Sequence, residues 1–206
     1  LNLMKSLTIE PQEYERLKRA FSGGFTHANA MYVGLDMKDV ASSDFTSSYH
    51  YVMLTRLFPM SKGEFVKPQS NEEFSHYIKN YCCVIEITFR NIEMKPEVYE
   101  TPLSLSRCQY CEEPVLNNGR VVSSALVTTT ITEQDYFIFK RFYNWSNAYI
   151  GRMIIYRKGR LPKDFCRAIL DLYKQKTELK GVEGSEADYL WAKENCNSAY
   201  GLAVTD

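Results

Sequence analysis

Lys193, Asn197 and Tyr200 stand at i, i+4 and i+7, a spacing that on an α-helix brings them within about 40° of one another. One stripe then presents a cation, an amide and an aromatic hydroxyl. The plain alternative is a solvated lysine, with Asn197 and Tyr200 making local hydrogen bonds before Gly201 at a helix C′ position. A second cluster centres on Asp44, followed by Ser47, Ser48 and Tyr49. A lone aspartate before a turn is ordinarily a cap or Asx-turn residue. A carboxylate beside free backbone N–H groups is also what a magnesium-bound triphosphate needs: the carboxylate holds a hard cation and the amides hold phosphate oxygens. Cys108-Gln-Tyr-Cys111 has the spacing of half a zinc site, but His27, His50 and His76 offer no paired ligands. A hairpin or loop carrying two ordinary thiols is the alternative.

These groups need elements to position them. Pro11–Ala20 reads as a charged helix opened by proline and stopped before Gly23-Gly24, where backbone can approach a ligand closely. Residues 39–49 read as a strand ending in a polar turn, and His50–Phe58 as a helix. Asn71–Asn80 has helical spacing, while the run from Cys82 to Arg90 alternates as a strand. Asn117-Asn118-Gly119 signals a hairpin turn before a β-branched strand, Val121–Ile131. Thr132 and Asp135 have capping-box spacing at the head of an aromatic-faced helix, and residues 148–159 form a further strand. Two helices follow. The first starts near Pro162, with Phe165, Ile169, Leu172 and Tyr173 on one stripe, and the second starts at Ser185, so that together they make an αα-hairpin.

At 206 residues, the chain is long enough to bury a core without staples. Its 25 basic and 25 acidic residues cancel, so nucleic-acid binding would have to rest on a local basic patch. No apolar run approaches the roughly 18 residues of a membrane span, and the six cysteines are too scattered for a disulfide scaffold. The expectation is a soluble, cytoplasmic protein with reduced thiols and no membrane partner. The sequence opens on Leu1 and stops soon after a structured-looking helix, so it is expected to be a piece of something longer.

Lys193-Glu-Asn-Cys-Asn197-Ser198-Ala-Tyr200-Gly201 matches, at every fixed position, the KxxxNSxYG motif B of family B DNA polymerases. Asp44-Phe45-Thr-Ser47-Ser48-Tyr49-His50 resembles their motif A, DxxSLYP, and Ser22-Gly23-Gly24-Phe25-Thr26 resembles their YxGG element. The order is the family's order. The chain is most similar to the protein-primed phage branch, in which the segment after motif A carries an inserted subdomain that grips DNA and terminal protein.

The resemblance implies an α+β fold: a partial palm with an antiparallel sheet, an inserted α/β subdomain and a helical-hairpin fingers element. The implied division is 1–60 for palm with the glycine loop and motif A, 61–160 for the insert and palm strands, and 161–206 for fingers. It implies a two-metal nucleotidyl transfer from dNTP to a primer 3′-OH. Asp44 and the carbonyl of Phe45 would hold Mg2+, or Mn2+. Ser48 and Tyr49 amides would meet the triphosphate, with the Tyr49 ring under the sugar. Lys193 and Lys176 would neutralise phosphate charge, with Lys174 as the fallback for Lys176. Asn197 and Tyr200 would line the base-pair pocket. Ser22, Gly23, Gly24, Ser47, Ser198 and Gly201 would contact primer-template DNA. A terminal protein primer is a further implied partner.

Phe21 replaces the family's tyrosine, Ser48 its leucine and His50 its proline, which are mild departures. The third motif, YxDTDS, is absent, since Val204-Thr-Asp206 lacks its tyrosine spacing. One aspartate cannot hold two cations at useful affinity. The expectation is an inactive fragment of an active polymerase. The alternative is a non-catalytic nucleic-acid-binding or scaffold module with polymerase-like geometry.

Overall fold

A computed structural model describes residues 9–26 and 32–201, the side chain of Tyr200 excepted. The fold is α+β. Two compact units form, one from the residues through Lys38 together with Ser61–Lys158, the other from Asp39–Met60 together with Gly159 onward. These units cut across the linear division 1–60, 61–160 and 161–206, because the segment around Asp44 joins the C-terminal helices.

The first unit is built on an antiparallel sheet. Its long strands are β3 (Tyr81–Met94), β6 (Arg120–Thr132) and β8 (Asn147–Gly159), in the order β8-β3-β6-β4, with β4 at Cys108–Glu112. The short strands β2 (Glu64–Val66), β5 (Val115–Asn117) and β7 (Tyr143–Asn144) pair with β8, β6 and β3 respectively. Central β3 holds the register, with Ile85 opposite Ile131 of β6 and Met153 of β8. Its Cys83, Ile85, Ile87 and Phe89 enter the main core, whereas Val84 faces the other side with Ile154, Tyr156 and Ala20. Period-two alternation thus buries both faces.

Helix α1 (Pro11–Ala20) covers the second face. Its Glu13 is buried and accepts a 2.8 Å hydrogen bond from the Tyr156 hydroxyl. Helices α3 (Asn71–Asn80) and α4 (Glu133–Phe142) pack on β3. The Ser70 hydroxyl accepts from Glu73 N at the head of α3, and a full capping box of Thr132 with Asp135 opens α4. The aromatic face of α4 lies against β3 and its neighbours, with Phe89 and Phe139 ring centroids 6.1 Å apart and Phe74 edge-on to Tyr136 at 5.1 Å. Asn118 and Gly119, both at positive φ, make the β5–β6 turn as the Asn-Asn-Gly signal requires.

Cys108 and Cys111 lie on β4 as free thiols, Cys108 donating to Ser104 O and Cys111 to Ser124 Oγ. Among the described residues no group of three or more potential metal ligands gathers. His27 lies outside the described residues.

The second unit contains α2 (Ser48–Thr55), a two-residue strand β1 (Phe58–Pro59), and the helices α5 (Lys163–Glu178) and α6 (Glu186–Gly201). Helices α5 and α6 pack as a hairpin with Ile169, Ala192 and Cys196 buried along the seam, and α5 also touches α2. Leu179 is the C-cap of α5, and Gly181, at φ 77°, lies in the turn that follows it.

One expectation fails. Residues 39–46 form no strand: every one is exposed, and Asp39 is in the left-handed region at φ 56°. The physical reason is that short polar side chains at Ser42, Ser43, Asp44 and Thr46 compete for the backbone's hydrogen bonds, and no alternating apolar face repays extension. No helix is long and apolar enough to cross a membrane among the described residues.

A Cβ at position 63 would stand 2.6 Å from Glu13 Oε1 and 2.7 Å from Ile154 Cγ2. Gly63→Ala is therefore expected to destabilise the protein by about 1–3 kcal/mol, read as a lowered urea midpoint. Burial, with Glu133 adding to it at Cys83 and Cys111 at Cys108, pushes both thiols up to about 12. Roughly one molecule in ten thousand then carries each thiolate at pH 8. Iodoacetamide should label these two cysteines far more slowly in the native protein than in urea, as followed by mass spectrometry.

Candidate functional site

Ser47 sits at the N-cap of α2 with φ 51° and ψ 44°, a left-handed conformation costing about 1 kcal/mol or more for a residue with a Cβ. Its hydroxyl does not cap the helix. It accepts instead a 3.3 Å hydrogen bond from the Nζ of Lys176, a half-buried lysine on α5. The first turn of α2 thus has no side-chain cap, and its amide end carries the positive pole of the helix dipole. An ammonium beside that pole is unfavourable until an anion joins them. The arrangement suits a phosphate or carboxylate.

Lys174, two residues earlier on α5, turns to Glu178 at 3.7 Å in an exposed pair. Asp44, Phe45, Ser48 and Tyr49 are exposed around the entry to α2. Asp44 makes no ion pair among the described residues.

His50 is 5% exposed and joins α2 to α6. Its Nε2 lies 2.6 Å from the carbonyl oxygen of Cys196 and 3.1 Å from the Cys196 thiol. A carbonyl can only accept, so Nε2 carries the proton, and Nδ1 is left buried with no partner. Burial raises the Cys196 thiol, and the nearby Lys176 ammonium pulls it back. Lys176 is therefore close to α6 as well as to Ser47.

On α6, Lys193, Asn197 and Ser198 are exposed and make no side-chain hydrogen bond among the described residues. Gly201 is the last helical residue rather than a residue beyond the helix. The Tyr200 side chain and residues 204–206 lie outside the described residues.

Magnesium takes hard oxygen donors. The Asp44 carboxylate and a backbone carbonyl such as that of Phe45 are of that kind, so these residues fit part of a magnesium shell. They do not complete it among the described residues, where no group of three potential ligands gathers.

Ser22, Gly23 and Gly24 belong to the sheet unit and are exposed. They border a cavity of about 440 Å³ lined also by Arg107 and Arg120. Arg107 Nη2 donates to Ala20 O at 3.0 Å and to Asp135 Oδ2 at 3.2 Å. Arg120 Nη1 donates to Pro102 O, and its guanidinium lies 4.0 Å from the Phe25 ring centroid. The loop is held at both ends.

Local spacing carried no signal for His50, 146 residues from its partner, or for Arg107 and Arg120. A histidine where family B polymerases have proline was the only hint at the first.

No family model matches the chain. No curated protein matches it. Among solved structures, phi29 DNA polymerase complexed with primer-template DNA is similar over 97% of this chain at 21% identity, with a TM-score of 0.72. The same polymerase with primer-template DNA and incoming nucleotide substrates is similar over 95% at 20% identity, TM-score 0.70. With single-stranded DNA the values are 95%, 19% and 0.68. The chain spans about a third of that polymerase's length, covering 32%, 32% and 31% of it in the three structures. At this identity the likeness is one of fold: the chain has the α+β fold of a segment of phi29 DNA polymerase.

Proposed function

We propose that this chain is the nucleotide-binding part of a family B, protein-primed phage-type DNA polymerase, acting in a bacterial cytoplasm on primer-template DNA and dNTP, with a terminal protein as a further partner. The contact of Lys176 with Ser47 at the uncapped head of α2 carries the reading. It gathers a cation and helix amides where a triphosphate would need them.

In this reading the first turn of α2, through Ser48 and Tyr49, meets the triphosphate oxygens. Lys176 binds them from α5, and Lys193 adds charge from α6. The Tyr49 ring lies under the sugar and excludes a ribose 2′-OH. Asn197 and Tyr200 line the base-pair pocket, and Ser47, Ser198 and Gly201 border the DNA. Asp44 and the Phe45 carbonyl would hold magnesium, or manganese, as part of a shell completed by other groups. When bound, the metal ions activate the primer 3′-OH and stabilise the leaving pyrophosphate. That no group of three potential metal ligands gathers among the described residues also supports a second reading, a non-catalytic nucleic-acid-binding or scaffold module.

Binding of a fluorescent dATP analogue with Mg2+ tests the pocket. Lys176→Ala should weaken it by about tenfold or more, the loss of one charge-assisted phosphate contact. Lys174→Ala, which removes only a solvated pair, should leave it within about twofold. Equal effects of the two substitutions would refute the assignment of Lys176. Nucleotide binding that is absent altogether, with single-stranded DNA still bound, would favour the scaffold reading.

A further inference from the structure

Arg16, on α1, is only 8% exposed, yet it makes no ion pair among the described residues. A guanidinium withdrawn from water needs an anion or a full set of acceptors, and Arg16 has a single acceptor. Its Nη1 donates to Gln12 O at 3.1 Å, its Nε is buried without a partner, and its Nη2 makes no hydrogen bond among the described residues. Nε and Nη2 form the edge of the guanidinium whose N–H bonds run parallel, the edge that grips two oxygens at once. The Phe65 ring, its centroid 5.4 Å from Cζ, backs the group.

Gln12, Glu15, Arg16 and Arg19 stand at i, i+3, i+4 and i+7 on α1, and this stripe, with Glu86 of β3 and Arg152 of β8, lines a cavity of about 370 Å³. The strand pairing is irregular at this spot. Ile85 pairs with Met153 and Ile87 with Ile150, so Gly151 and Arg152 together stand against Glu86 in a β-bulge. The approach depends on glycine, since a Cβ at position 151 would stand 2.9 Å from Glu86 Oε1. The bulge thus brings a carboxylate and a second guanidinium to the cavity wall. Neither Glu86 nor Arg152 makes an ion pair among the described residues, whereas Arg19 meets Glu15 at 4.0 Å.

The charges specify the ligand. Three guanidiniums and two carboxylates line the cavity, an excess of one positive charge. One carboxylate cancels that excess, whereas a phosphate dianion or a polyanionic strand would exceed it and meet Glu15 and Glu86 as like charges. The Glu86 side chain receives no hydrogen bond among the described residues, so it can accept one from the ligand. We propose that the cavity binds a small carboxylic acid carrying a hydroxyl or ammonium group beside its carboxylate. Arg16 and Arg152 take the carboxylate, and Glu86 takes the neighbouring donor. This site belongs to the sheet unit and is independent of the nucleotide reading, whose Ser47 and Lys176 stand in the other unit.

NMR of the 15N-labelled chain, titrated with lactate, glycine, acetate or inorganic phosphate at matched ionic strength, provides the test. Lactate for a hydroxy acid, or glycine for an amino acid, should shift the Arg16 Nε–H resonance saturably and bind at least about threefold more tightly than acetate, which lacks the donor. Phosphate should bind more weakly than the better of the two. Arg152→Gln should weaken binding by about tenfold, the loss of one charge-assisted contact, with the melting temperature unchanged because Arg152 is exposed and unpaired among the described residues. Glu86→Ala should erase the preference over acetate while keeping the Arg16 shift. Arg141→Gln, an exposed arginine outside the cavity, should leave affinity within about twofold. No Arg16 shift with any probe, undiminished binding by Arg152→Gln, or phosphate binding as tight as the better acid would overturn the proposal. Displacement of the acid by an oligothymidylate would overturn it too, by giving the cavity to a nucleic-acid strand.

Discussion

The left-handed turn at Ser47 is the constraint on which the candidate nucleotide site depends. A serine there is held against its backbone preference, and the energy must come from contacts that over-determine it. The bond from Lys176 is one, and the start of α2, where Tyr51 N donates to Ser47 O, is another. The same turn places exposed Asp44 and Phe45 immediately before the helix amides. Glu10, Ser70 and Thr132 cap their helices with extended backbone, so the left-handed conformation sets Ser47 apart from them.

A second tie joins α2 to α6. His50 donates to a carbonyl of α6 and leaves its other nitrogen buried and unsatisfied, an arrangement worth keeping only if the placement of α6 matters. The donors carried by α6 three residues before Cys196 and one residue after it, Lys193 and Asn197, remain exposed and make no side-chain hydrogen bond among the described residues. In the sheet unit the logic is different. There a core buried on both faces of β3 fixes the frame, and arginines at its margin hold the glycine loop.

Where local rules decide, the elements were legible in the sequence. The capping box of Thr132 with Asp135, the Asn-Asn-Gly turn, the alternation along β3 and the helical hairpin all appear at their expected places. Residues 39–46 misled because their apolar residues Val40 and Phe45 find no face to bury, at 71% and 86% exposure. The pairing of Asp39–Met60 with the C-terminal helices was also hidden, since the bond that carries it joins a histidine and a cysteine with no shared pattern. For the candidate site, spacing and turn composition singled out Lys193, Asn197, Tyr200 and Asp44, and their roles came from the resemblance to family B polymerases alone. The arginine clamp on the glycine loop was not, because cation–π and side-chain-to-carbonyl contacts leave no periodic trace.

The central question is whether an anion is received at the head of α2 between Ser47 and Lys176. Titrating the 15N-labelled protein with a magnesium dNTP and following backbone amides and lysine ammonium resonances by NMR addresses this directly. Saturable shifts are expected at Ser48, Tyr49 and Lys176, with the amides of β3 and β6 unmoved. Shifts confined to the sheet unit, or none at the head of α2 with nucleotide in excess, would contradict that reading.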